Sequence, residues 1–247
     1  MSRAVLVTGA SRGIGAAVAQ AFAGFAPEAF AWFSGLEADN TKQWFTAHRD
    51  TYEIAVRDTF EAMMDELADD LGGEVKVFRQ HRDIRFSADK SPYKTRTYGV
   101  IRDRPDGAPS LYAQVSATGL FAGTGYYILA SDQLARFRDA IADDATGPAL
   151  EEAVAAAEGA GIETYGEALK TAPRGYPRDH PRIALLRHKS LIGGSRLPPA
   201  DDGIGRDAAL GHARATWGAC EPICAWLAAN VGPSELPEET RFGRRGR

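Results

Sequence analysis

The sequence predicts an α+β fold in which an antiparallel sheet of about five strands is covered by helices, with a short β-turn-α segment ahead of it. Between Glu74 and Leu129 strand-like runs follow one another with only turns between them, whereas a doubly wound fold needs strands and helices to alternate. Turn signals such as Arg104-Pro105-Asp106-Gly107 make hairpins, so neighbouring strands run antiparallel. On both sides of this block apolar residues recur every three or four positions, which supplies the covering helices.

Composition bounds the function. The chain has 247 residues, 44% hydrophobic and 25% charged, a balance that suits a globular protein able to bury a sizeable core. A net charge of -4 argues against wholesale nucleic-acid binding, which usually needs a basic face. Cys220 and Cys224, four apart, share a helix face but supply too few ligands for a metal, and are read as half-buried thiols in a reducing environment. No apolar run approaches the roughly 20 residues that cross a membrane, so a cytoplasmic protein without a membrane partner is expected. No cofactor is identified from composition.

In chain order, Ala4–Val7 reads as a strand, Thr8–Gly15 as a glycine-punctuated turn, and Ile14, Val18 and Phe22 as one helix face. Glycines at 9, 13 and 15 allow close backbone approach to a pyrophosphate at a helix start. Thr8, Gly9, Gly13 and Gly15 match TGxxxGxG, and this segment resembles the opening of the short-chain dehydrogenase/reductase family. That resemblance implies a nicotinamide cofactor on those four residues and, as an alternative function, an NAD(P)-dependent oxidoreductase. The following chain departs from the pattern. Phe30, Phe33 and Leu36 read as helix where a second parallel strand is needed, and no tyrosine has a lysine four positions on; Tyr165 is followed by Leu169 and then Lys170. Residues 1–23 therefore read as an extension of a domain spanning 24–232, with 233–247 a disordered tail.

A helix is expected from Pro27 to about Leu36, with Pro27 suited to its first turn. Asp39 or Asn40 is expected to cap a long helix carrying Phe45, Tyr52, Val56, Phe60, Met63, Leu67 and Leu71, which Gly72 and Gly73 end. The aromatic stripe is read as core, and Asn40, Lys42, Trp44 and His48 cluster at its start.

The expected strands are EVKVFR, HRDIRF, RTYGVIRD, SLYAQVSA and GLFAGTGYYIL. In HRDIRF, alternation puts Arg82, Ile84 and Phe86 on one face and His81, Asp83 and Arg85 on the other. Arg82 on an apolar face requires a partner, either Asp83 of a neighbour, Asp89 or a bound anion. From Arg79 to Arg104 there are eight basic residues against three acidic, a local inversion of charge that would concentrate anions. Arg82, Arg85, Lys90, Tyr93 and Lys94 are thus expected to line a basic groove for a small phosphate- or carboxylate-bearing ligand. Asp83 and Asp89 are the candidate bases. The competing reading is an ion-pair network that fixes the loop on the sheet.

The runs RDIRFSADKSPYKT, NTKQWFTAHRDTYE, GLFAGTGYY and GYPRDHPRIALLRHKSL resemble the bacterial family catalogued as domain of unknown function 2461, over about Gly24 to Gly232. The resemblance implies one α+β domain and carries over no activity, cofactor or catalytic residue. Its members usually begin near the counterpart of Gly24, which makes residues 1–23 an addition.

Beyond the strands, Ser131 or Asp132 is expected to cap a helix carrying Leu134, Phe137 and Ile141, and a second runs from about Pro148 to Glu158. His180, beside Asp179 in a proline-flanked loop, is a candidate proton shuttle. A last helix from about Arg206 to Asn230 carries Trp217, Ile223, Trp226 and Leu227.

Overall fold

The computed structural model describes residues 21–85, 87–104 and 109–237. Residues 1–20, which hold Thr8, Gly9, Gly13 and Gly15, lie outside the described residues, as do Phe86, residues 105–108 and residues 238–247.

The short strand β1 (Gly24–Phe25) leads into α1 (Pro27–Ala38), whose first turn holds Pro27 as expected. Next come α2 (Lys42–Ala47), α3 (Arg49–Thr51), a π-helical stretch (Tyr52–Asp58) and α4 (Thr59–Leu71). The cap of α2 is Thr41, whose Oγ1 accepts the Trp44 N–H at 3.2 Å, and not Asp39 or Asn40. The expected single helix is also interrupted. His48 leaves helical geometry (φ -112°, ψ 19°), and its carbonyl accepts both the Tyr52 N–H at 3.2 Å and the Trp32 indole N–H at 3.0 Å. In the wide turn that follows, the Thr59 hydroxyl bonds the Ile54 carbonyl, five residues back, at 3.0 Å. Gly72, at φ 72°, ends α4 in a conformation that favours glycine.

Six strands form one antiparallel sheet: β2 (Glu74–Val77), β3 (Arg96–Arg102), β4 (Leu111–Ser116), β5 (Gly119–Tyr126), β6 (Glu163–Tyr165) and β7 (Leu191–Leu197), in the order β2-β3-β4-β5-β7-β6. Two corrections follow. HRDIRF does not form a strand over its described residues: among the described residues from Arg79 to Thr95 the backbone is irregular, with one bridge, between His81 and Tyr93. Its one face with apolar residues also carries Arg82, and its other face is fully polar. Asp83 and Asp89 instead fold back on the N–H groups of Arg85 (3.3 Å) and Ser91 (2.9 Å), the local bonding by which aspartate competes with a ladder. The second correction is that β6 and β7 come from the C-terminal half. In β7 the pair Gly193-Gly194 weakens the strand signal, yet a Cβ at Gly193 would lie 2.6 Å from the Cys220 Sγ and one at Gly194 2.4 Å from the Phe121 ring.

Helices α5 (Ser131–Ala142), α6 (Gly147–Gly159), α7 (Ile183–Leu186), α8 (Arg206–Ala219) and α9 (Glu221–Asn230) complete the fold, with β8 (Ile204–Gly205) pairing β1. At the start of α5 neither Ser131 nor Asp132 is the cap; Ala130 holds that position and its N–H donates to the Gln133 Oε1 at 3.0 Å. Asp132 instead receives Ser234 Oγ and the Glu235 N–H, each at 2.8 Å, tying residues past 232 to α5. The expected last helix divides at Cys220, where Pro222 enters the first turn of α9.

Alternation along the strands separates two faces. Thr97, Gly99, Ile101, Ala113, Val115, Leu120 and Ala122 are buried; the apolar members other than Gly99 pack in a core with Phe33, Phe60, Met63 and Trp217. A second core joins Phe137, Ile141, Leu150, Leu186, Leu191 and Leu227. Both cysteines are fully or nearly buried rather than half-buried, and burial pushes the Cys220 thiol up to about 12. It stays protonated and unreactive at neutral pH. No helix among the described residues is long and apolar enough to cross a membrane.

Candidate functional site

The segment 79–95 is anchored from beneath by Gln80. Its Oε1 accepts the Thr97 hydroxyl at 3.0 Å and the Tyr52 hydroxyl at 3.4 Å, and its amide nitrogen donates to the Lys94 carbonyl. Tyr93 is fixed twice. Its ring stacks on Phe45 at 4.1 Å and 9°, and Asn40 donates to its carbonyl at 3.0 Å while accepting its N–H at 3.1 Å. Asn40, expected as a helix cap, thus acts as a strand-like partner for the segment.

The cations of the segment are largely satisfied within it. Arg82 pairs with Asp89, one of the three partners expected for it, and reaches Ser87 Oγ at 3.4 Å. Arg85 forms a forked pair with Asp83 at 2.9 and 2.6 Å, and the Lys90 ammonium donates to the Ile84 carbonyl at 3.0 Å. Hydrogen bonds from the Arg85 side chain, then its backbone, hold the Asp83 carboxyl at about 2. Asp89 is held well below the usual carboxylate range by the Ser91 hydroxyl and then by Arg82. Carboxylates so stabilised are weak bases. His180 lies elsewhere, at the corner of α5 and α6. Its Nδ1 accepts the Arg182 N–H at 3.0 Å, and the buried Arg182 side chain reaches the Ile141 and Ala142 carbonyls at 2.6 and 3.0 Å and Asp144 at 2.5 Å.

Lys94 points another way. Its ammonium donates to the Arg79 carbonyl at 2.5 Å and stands 4.7 Å over the Tyr98 ring, on the outer face of the sheet. There a row of rings crosses the strands: Phe78 on Tyr98 at 4.8 Å, Tyr98 on Tyr112 at 5.8 Å, Tyr112 on Phe121 at 6.1 Å and Phe121 on Tyr165 at 5.8 Å. These separations suit attractive edge and offset contacts between rings. Lys76 lies 5.3 Å over Phe78, Arg96 5.8 Å over Tyr98 and Arg196 5.6 Å over Phe121. None of Lys76, Lys94, Arg96 and Arg196 makes an ion pair with a described carboxylate, in contrast to Arg82 and Arg85.

The rings enclose a groove of about 480 Å³, lined by strand residues and the loops that join them, a size ordinary for small-ligand sites. The Tyr112 hydroxyl donates to Gln114 Oε1 at 2.6 Å, and burial pushes the phenol up to about 12, so it remains a donor at neutral pH. Beneath Phe121 the paired glycines Gly123 and Gly194 leave room for the ring to lie on the backbone. From the core side the Trp217 indole donates to the Gly123 and Tyr112 carbonyls at 3.2 and 3.3 Å, fixing that floor. This row was missed in the sequence, although it left a signal: each of RTYGVIR, LYAQVS and GLFAG sets one aromatic on the face opposite the buried apolar residues.

Among the described residues no group of three or more His, Cys, Asp and Glu is placed to hold a metal. A family model described as "Conserved hypothetical protein (DUF2461)" matches residues 28–226. No curated protein matches the chain.

Proposed function

The chain belongs to the DUF2461 family, and from that premise we propose that it binds a small ligand combining a planar ring with a carboxylate or phosphate, on the outer face of the sheet. The observation that carries this reading is the row of contacting rings flanked by four cations with no described carboxylate partner. Rings supply stacking area with few rotamers to freeze. Glu163 is occupied by the Tyr165 hydroxyl at 2.6 Å, so an anionic group supplies counter-charge to the four cations, and arginine holds it in a forked geometry. Tyr98, Tyr112 and Phe121 form the platform, Arg96 and Lys94 take the anion, and Gln114 orients the ligand edge.

The basic groove expected from the sequence contributes Lys94 to this site. Arg82, Arg85 and Lys90 act one step removed, by shaping the segment that carries Lys94. The described residues that line the groove include no carboxylate, imidazole or thiol, so the reading is one of binding and assigns no general base. Calorimetric titration with 2-naphthoate, 2-naphthamide and cyclohexanecarboxylate separates the two requirements. Saturable binding of 2-naphthoate alone, weakened by Arg96→Gln about tenfold or more, is expected. Equal binding of the neutral amide, or no effect of Arg96→Gln, contradicts the proposal.

A further inference from the structure

We infer that the groove between the π-helical stretch and the run Val77–His81 is a second binding site, selective for a phosphate-type oxyanion. It encloses about 450 Å³ and is lined by Lys42, Arg49, Arg57 and Arg79 against the carboxylates of Glu53 and Glu61. Those two carboxylates are already engaged. Glu53 takes Arg49 at 3.5 Å and Arg57 at 3.2 Å, and Glu61 takes Arg57 at 3.0 Å. Lys42 and Arg79 make no close ion pair with a described carboxylate, although the Arg79 charge acts on Asp83 from a distance, and they line the groove from separate elements, α2 and the chain after β2.

Between these charged groups the wall at Gln80 is neutral and fixed. Gln80, 4% exposed, has its oxygen occupied by Thr97 and Tyr52 and one of its two amide N–H groups by the Lys94 carbonyl, which fixes the side chain in place. At the rim the exposed His81 ring lies 4.9 Å from Tyr93 and 6.1 Å from Phe45, and it lines the same groove as the two cations. A forked guanidinium, a mobile ammonium and an imidazole converging on one polar space complement a tetrahedral oxyanion with three acceptor oxygens. The aromatic residues that line it, Phe45, Tyr52, Phe78 and Tyr93, are each already engaged with another ring. Phe78 lines both this groove and the one on the sheet face, and so stands as the wall between two sites of different chemistry.

The test is titration with inorganic phosphate at constant ionic strength, read by NMR of the His81 ring protons and by calorimetry. A saturable shift is expected, with Kd rising about tenfold or more in Arg79→Gln and unchanged in Arg96→Gln on the sheet face. No saturable shift overturns the inference, as does one that survives in the Lys42→Gln/Arg79→Gln double variant. Should Arg79→Gln lower the melting temperature, Lys42→Gln in the exposed first turn of α2 carries the test alone, and an unchanged Kd in it is a refutation.

Discussion

Replacing Asn40 by Ala should destabilise the protein out of proportion to the size of the side chain removed. In the bridge between His81 and Tyr93, the ladder bonds run from Arg82 N–H to the Pro92 carbonyl and from Lys94 N–H to the Gln80 carbonyl, each at 2.9 Å. Tyr93 therefore turns its own N–H and carbonyl away from that partner, toward Asn40, which satisfies both at 3.1 and 3.0 Å. Tyr93 is 4% exposed, so truncation leaves two main-chain groups with little access to water. At about 1–1.5 kcal/mol for each, near the lower end for unsatisfied buried groups, the loss is about 2–3 kcal/mol. For a chain of this size that lowers Tm by roughly 4–12 °C. Asn40→Asp should do no better, because a carboxylate keeps the acceptor and sets a second oxygen against the Tyr93 carbonyl. Urea unfolding gives the free energy, and amide exchange at Tyr93 localises it. A loss below about 0.5 kcal/mol, typical of a surface substitution, would refute the reasoning.

Other expectations follow from the same geometry. Gly194→Ala places a Cβ 2.4 Å from the Phe121 ring and 2.7 Å from the Ala122 carbonyl; overpacking of about 1–3 kcal/mol is expected, together with loss of the Phe121–Tyr165 contact, visible as changed ring-proton shifts. The ion pairs of segment 82–91 involve carboxyls whose pKa is depressed in the folded state. Their stabilisation is complete above the ordinary carboxylate pKa near 4 and is lost as pH falls toward and below about 2. Amide protection factors of the segment, with the intrinsic pH dependence of exchange divided out, should then hold steady above roughly pH 5 and fall only in acid; a fall between pH 6 and 8 would contradict it. Gly13→Asp should leave any NADPH-induced fluorescence change unaltered, because α1 occupies the place where a dinucleotide fold needs its second strand. A loss of NADPH binding in that variant would restore the oxidoreductase reading.

Much of the frame was legible in the residues. Phe60, Met63 and Leu67 fall on one face of α4, and the alternation of β3, β4 and β5 gives both their faces and their antiparallel order. Even the break before the π-helical stretch left a trace, since the apolar series jumps seven residues from Phe45 to Tyr52. What hid the rest was chemistry that periodicity does not encode. Gly193 and Gly194 are strand residues because Cys220 and Phe121 press against them, a tertiary reason invisible in a local window. The alternating charges of HRDIRF imitate a strand, while Asp83 and Asp89 bond their own neighbours. The charge count pointed to the segment 79–95. It could not show that Arg82 and Arg85 are paired within it while Lys94 reaches across to the rings.

The most direct test of ligand binding on the sheet face is an NMR titration with 2-naphthoate, followed at backbone amides. Ring-current shifts are expected at Gly123, Gly125 and Gly194, beneath and beside the row of rings, saturating together and absent in Arg96→Gln. Shifts confined to residues 82–91, or no saturable shift at the three glycines, would contradict the account.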